Sequence, residues 1–204
     1  MICVDSTFLG LLLHPSSKPP NHPDTGEPIE RLEDRLALLI ETWDEDNEKI
    51  LIPTPVLSEF LILAGDEGAD YLSKIHDMAH FQVASFDERA AVELAAIHIG
   101  IRAASSNRAK KRGDADAVGT WAKLKFDRQI VAIAKVNMAT VIYSDDKGMA
   151  TFAEQNGLAI VQTWQLPLPK AQAVLLPFED KEVGSIAETA SANVSDDSET
   201  VTLE

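Results

Sequence analysis

Apolar positions follow two rhythms along this chain. Short, nearly continuous runs at Met1 to Val4, Lys49 to Ile52, Phe81 to Ala84, Thr140 to Tyr143 and Leu158 to Gln162 have the length of buried strands. Between them, apolar residues recur every three or four positions, the spacing of one helix face. Ile29, Leu32, Leu36, Leu39, Ile40 and Trp43 form the clearest such stripe, with acids and arginines between them. Further helices are expected over Ser6 to Leu13, Tyr71 to Met78, Asp87 to Ser105, Ala115 to Val136 and Gly148 to Gln155. Thr54-Pro55 after the second strand reads as an N-cap with proline at the first helical position, which sets Glu59 about one turn into another helix.

Strands alternating with helices imply an α/β domain with a mainly parallel sheet and right-handed crossovers. His14 to Pro28 interrupts the alternation: five prolines and a glycine in fifteen residues make it a loop, long for a compact domain. From Glu179 the chain is acidic, rich in Ser, Thr and Ala, and too poor in large apolar residues to pack, so Glu179 to Glu204 reads as a disordered tail.

At 204 residues and 45% hydrophobic content the chain suffices for one ordinary core. The apolar run Phe8 to Leu13 is too short to span a bilayer and no basic leader precedes it, so a soluble cytoplasmic protein with no membrane partner is expected. Cys3 is the single cysteine, which excludes an intrachain disulfide and a cysteine-based zinc site and suits a small apolar residue in a buried strand. A net charge of −15 argues against a polyanion partner only on average. Pro177 to Glu204 holds eight acids and one lysine, whereas Arg102 to Arg128 holds eight bases and three acids. A local basic segment therefore remains for contact with phosphates.

The acids carry the chemistry. Asp5 and the Asp145-Asp146 pair stand at the carboxyl ends of expected strands, where open parallel sheets bind ligands. Glu59 and Asp127 fall on helices, each with apolar neighbours one turn away: Pro55, Val56, Ile62 and Leu63 around Glu59, and Leu124, Ile130, Val131 and Ala134 around Asp127. An inward carboxylate without a partner is costly, and a divalent cation offsets that cost. Oxygen-only ligands suit Mg²⁺ or Mn²⁺, the ions of phosphodiester hydrolysis. The plainer readings are helix caps for Asp5 and the Asp145-Asp146 pair, a first-turn acid for Glu59, and an ion pair with Lys123 or Arg128 for Asp127.

In this order the segments Ile2-Cys-Val-Asp5-Ser6, Ile52-Pro-Thr-Pro-Val-Leu-Ser-Glu59, Phe126-Asp127-Arg-Gln-Ile130 and Val141-Ile-Tyr-Ser-Asp-Asp-Lys147 resemble the PIN-domain family, which includes the VapC-type toxin ribonucleases. The likeness runs from Met1 to about Gln162 and implies a three-layer α/β/α domain over residues 1–165, with the Pro-rich insertion at 14–28 and a C-terminal extension at 166–178 before the tail. It further implies a Mg²⁺- or Mn²⁺-dependent endoribonuclease for single-stranded RNA. Asp5, Glu59, Asp127 and Asp146 would be its catalytic and metal-ligating acids, with Asp145 as an alternative ligand, and Ser6 matches a hydroxyl that often follows the first acid. As partners the resemblance admits RNA, an antitoxin protein and a second copy of the chain. The insertion, the long helix from Asp87 and the acidic tail depart from the small toxins, so a stand-alone ribonuclease fits as well as a toxin. A non-catalytic PIN-like scaffold is the other reading. A haloacid dehalogenase-like phosphatase fits less, because Thr7 stands where that family repeats an acid.

Arg102, Arg108, Lys110, Lys111 and Arg112 are the RNA-binding candidates, against the plain reading of a solvated helix end. His14 and His22 lack other soft ligands nearby and read as ordinary loop histidines, and Trp43, Trp121 and Trp164 read as packing residues.

Overall fold

The computed structural model describes residues 1–105 and 117–169. These lie in one compact unit, Met1–Lys170. The tail from Glu179 and the basic residues Arg108, Lys110, Lys111 and Arg112 lie outside the described residues, as do the side chains of Arg102 and Trp121.

The elements run β1 (Ile2–Val4), α1 (Ser6–Leu13), α2 (Leu32–Glu45), β2 (Ile50–Pro53), α3 (Thr54–Ala64), α4 (Gly68–Asp77), β3 (Phe81–Ala84), α5 (Glu88–Ser105), α6 (Ala117–Val136), β4 (Val141–Tyr143), α7 (Lys147–Gln155) and β5 (Ala159–Val161). The five strands form one sheet in the order β3-β2-β1-β4-β5, and every neighbouring pair is parallel. Side chains alternate between the two faces of a strand, yet every residue of β1 and β2 is buried. Both faces of the central strands are therefore covered, the three-layer α/β arrangement the alternation implied.

β1 is the hinge of the topology. Its chain leaves toward β2 and β3 on one side, while β4, its other neighbour, leads to β5 on the opposite side. The order reverses between β1 and β4, where Cys3 stands opposite Ile142 and Val4 opposite Tyr143. At such a reversal the connections diverge and leave a crevice at the strands' carboxyl ends.

Phe8, Trp43 and Tyr143 lock α1, α2 and β4 together. The Phe8 ring centre lies 5.0 Å from Tyr143 and 6.3 Å from Trp43, and the Trp43–Tyr143 pair meets edge-on at 5.1 Å. Cys3 is fully enclosed, and burial pushes its thiol well above the usual range, as befits a core residue.

Four local expectations are corrected. Thr54 is not the N-cap of α3: Pro53 takes that place, because β2 runs one residue further and Pro55 falls in the first turn. The Thr54 hydroxyl instead accepts from the Phe86 backbone N–H at 3.3 Å, joining the ends of β2 and β3. Ile40 is 48% exposed, since Leu32, Leu36, Leu39 and Trp43 complete the buried stripe of α2 without it. The stripe also begins outside the helix: Ile29 is buried in the loop, and Arg31 enters α2 in a left-handed conformation with φ 52°. α4 starts at Gly68, three residues before the first apolar residue of its pattern.

The Pro-rich loop is held down by specific contacts. Asn21 and Pro28 form an antiparallel bridge, the Ser17 hydroxyl donates to the Gly10 carbonyl at 2.8 Å, His14 stacks on Tyr71 and His22 meets the edge of Trp164. Each histidine of the loop thus lies against an aromatic ring.

Candidate metal and phosphodiester site

β1 delivers Asp5 and β4 delivers Ser144, Asp145 and Asp146 to the crevice between them. The Asp5 backbone N–H donates to the Tyr143 carbonyl at 3.1 Å, continuing the parallel ladder by one residue and bringing the two strand ends into register. Asp5 then starts α1 as its N-cap, its Oδ1 accepting from the Phe8 N–H at 2.7 Å. Asp146 does the same for α7, its Oδ1 accepting from the Met149 N–H at 2.9 Å. The plain reading of both acids as caps is thus realised. A cap engages one carboxylate oxygen, so it is compatible with a second role for the other.

Ser144 joins the two caps. It is fully buried; its hydroxyl donates to the Asp5 carboxylate and accepts from the Asp146 backbone N–H at 3.1 Å. Asp5, only 6% exposed, has its carboxyl pushed up to about 6. Burial is the main cause. The negative charges of Asp145 and Asp146 add to it, against the lowering by the Ser144 and Phe8 hydrogen bonds.

Asp145 is otherwise engaged. Its Oδ1 accepts from the Thr163 backbone N–H at 2.7 Å and its Oδ2 from the Thr163 hydroxyl. Thr163, fully buried, opens a 3-10 turn directly after β5, so Asp145 ties the end of β4 to the segment beyond β5.

Asp127 is 9% exposed on α6, with Ile130, Val131 and Ala134 buried beside it, and the inward face expected there is present. The inward face expected around Glu59 is not. Glu59 is exposed, as are Ile62 at 78% and Leu63 at 65%. The stripe that α3 buries is Pro55, Val56, Phe60 and Ala64, and Glu59 lies beside it on the solvent side. Ser6 is the half-buried first residue of α1. Asp5, Asp145 and Asp146 are therefore brought together, while Asp127 lies on the buried face of α6 and Glu59 on the exposed side of α3. Among the described residues no three His, Cys, Asp or Glu side chains stand close enough to share one metal ion.

Two participants escaped the sequence pattern. Ser144 was visible in the Ser-Asp-Asp run, but its bridge to Asp5 spans 139 residues and arises only from the β1–β4 pairing. Thr163 has no local signal at all, since its partnership with Asp145 depends on β4 and β5 being neighbours.

No family model matches the chain, and no curated protein matches it. Among solved structures, it is similar to a chain of the DNA-bound VapBC complex from Salmonella typhimurium, with 14% identity and a TM-score of 0.44 over 79% of this chain and 97% of that one. It is also similar to a chain of VapBC2 from Rickettsia felis bound to a DNA fragment from their promoter, with 15% identity and a TM-score of 0.42 over 79% and 98%.

Proposed function

We propose that this chain is a PIN-type endoribonuclease that hydrolyses single-stranded RNA with Mg²⁺ or Mn²⁺ held at the crevice between β1 and β4. The observation that carries the reading is the Ser144 hydroxyl, which links the Asp5 carboxylate to the Asp146 backbone where the strand order reverses.

The donor set fits a hard divalent cation. Every side chain offered is a carboxylate or hydroxyl, and Asp5 bears a charge that burial and two neighbouring acids disfavour. Mg²⁺ keeps most of its waters and takes only one or two carboxylates directly, so it does not require a tight cluster of three. Asp5 and Asp146, the acids that the family resemblance singles out at the two strand ends, would hold it, and Asp145 bonds Thr163. When bound, the ion lowers the pKa of the attacking water and stabilises charge on the leaving oxygen. Ser144 keeps the two strand-end acids in register and the caps fix their rotamers, and Asp127 on α6 and Glu59 on α3 would complete the acid set that the family resemblance implies.

In the toxin form of this reading, supported by the sequence resemblance, an antitoxin protein is the partner, and a small DNA-binding protein encoded beside this chain is its test. The scaffold alternative, binding RNA or protein without cutting, draws support from the exposure of Glu59 and the lack of a close three-acid cluster among the described residues. One experiment separates them. The chain is incubated with labelled single-stranded RNA in Mn²⁺, in Mg²⁺ and in chelator, beside Asp5→Asn. Metal-dependent cleavage that Asp5→Asn abolishes, with its circular dichroism unchanged, supports the nuclease. RNA binding without cleavage in either metal sinks it.

A further inference from the structure

Arg128 follows Asp127 on α6, and successive helix residues point about 100° apart. Asp127 is buried, while Arg128 reaches between α5 and α7. Its guanidinium carbon lies 5.4 Å from the centre of the Phe152 ring on α7. Its Nη1 stands 3.3 Å and 3.4 Å from the two ring nitrogens of His98 on α5. Nearly equal distances to both nitrogens mean that it lies along neither lone pair, so the contact is a poor hydrogen bond. Nε is buried with no hydrogen-bond partner. The guanidinium is therefore held in place by two aromatic side chains, with donors to spare and no carboxylate paired to it among the described residues. A fork of this kind matches the paired oxygens of a phosphate.

The surroundings are cationic. A pocket of about 80 Å³ opens here, lined by Leu94, His98, Lys125 and Arg128, large enough for a small anion and too small for a base. Lys125 is exposed at its rim. The acid nearest in sequence on α5, Glu93, pairs with Lys135 at 2.7 Å. Burial, with the Arg128 charge second, holds His98 below the usual imidazole range, so it meets an anion as a neutral donor.

The pocket also stands at the level of the acids. α5 and α6 run antiparallel, with Arg89 donating to the Val136 carbonyl, Glu93 against Lys135 and His98 against Arg128. α6 ends at Val136, close to the start of β4, and Arg128 lies eight residues back along it, roughly 12 Å by helical rise. The three residues of β4 span roughly 10 Å, so Arg128 reaches the carboxyl edge of the sheet.

We propose that His98, Lys125 and Arg128 form a subsite for a backbone phosphate of RNA, one nucleotide step or more from the carboxylate crevice. The identity of the ligand as RNA rests on the nuclease reading, whereas the phosphate pocket itself does not. The site would grip the chain by its backbone without reading a base.

The test uses the full chain without metal and follows the His98 imidazole by NMR while inorganic phosphate is added. A saturable shift of the His98 resonance, lost in Arg128→Gln and retained in Lys74→Gln on the distant α4, is expected. Single-stranded RNA should move the same resonance. Arg128→Gln should weaken RNA binding about tenfold and flatten its salt dependence by roughly 0.7 per lost phosphate contact. If Arg128→Gln does not fold, Lys125→Gln serves for the same comparison. An unmoved His98 resonance overturns the subsite. So does a shift produced by an acidic peptide with RNA affinity unaffected by the variants, which would make the pocket a carboxylate acceptor. Absence of metal-dependent cleavage by the parent chain, with the phosphate shift intact, would sink the nuclease reading alone.

Discussion

Both carboxylate oxygens of Asp145 are taken by one residue, Thr163, through its backbone N–H at 2.7 Å and its hydroxyl. Asp146, one residue on, spends its Oδ1 on the Met149 N–H of α7. Two adjacent acids that look equivalent in sequence therefore hold different partners, Asp145 the segment beyond β5 and Asp146 the start of α7, while the charges of both reach Asp5.

The first prediction follows for Asp145→Ala. Thr163 is fully buried, so the substitution leaves its N–H and hydroxyl unpaired, at a cost of about 1–3 kcal/mol in folding stability. Urea denaturation checks the loss. RNA cleavage per folded molecule should stay within a few-fold of the parent, and a loss as large as that of Asp146→Asn would return Asp145 to the metal site.

Asp146 separates charge from capping. Asparagine can accept the same hydrogen bond from Met149, so Asp146→Asn should leave the melting temperature nearly unchanged while cleavage falls about a hundredfold or more. Asp146→Ala should lose activity equally and also about 1 kcal/mol of stability, because α7 loses its cap.

Asp5 makes the stability of the metal-free protein depend on pH. Its folded value of about 6 lies above the ordinary 3.8, so between them the folded state holds more protons than the unfolded chain. Stability from this group is fully present below about pH 3.8 and is lost as pH rises through 6. In chelator at pH 8, Asp5→Asn should be more stable than the parent, by on the order of 2–3 kcal/mol, and the gap should close as pH falls to 4. Mg²⁺ should stabilise the parent and not the variant. Thermal melts across pH check both, and a pH-independent difference would remove the repulsive carboxylate from the account.

The basic segment and the acidic tail oppose each other in charge. Alanine at Lys110, Lys111 and Arg112 should flatten the salt dependence of RNA binding by about two units if all three touch phosphates, at roughly 0.7 per contact. Removing Glu179 to Glu204 should tighten RNA binding mainly at low salt, where the attraction between tail and segment is least screened. Filter binding over a salt series reads both, and unchanged slopes and affinities would make the segment a solvated helix end.

The local physics was legible in the sequence. Strand and helix patterns depend on neighbours within a turn or a pleat, so the succession of the described strands and helices along the chain, the parallel sheet, the strand-end position of Asp5 and Asp145-Asp146 and the buried face of Asp127 followed from the residues alone. The placement of Glu59 on a helix, about one turn in, was equally local. Its exposure was not, because apolar neighbours at helical spacing show that a helix has a stripe, and the packing of α3 through Val56 and Phe60 decides which edge of the stripe faces solvent. Tertiary structure also decided every relation that crosses the sheet. Asp5 meets Ser144 only because β1 pairs with β4, Asp145 meets Thr163 only because β5 lies beside β4, and Arg128 meets His98 only because α5 and α6 run antiparallel. Periodicity along a chain carries no record of which distant segments become neighbours, so the division of labour among these acids, and an Arg128 guanidinium with no carboxylate partner among the described residues, emerged only when the strands and helices were packed.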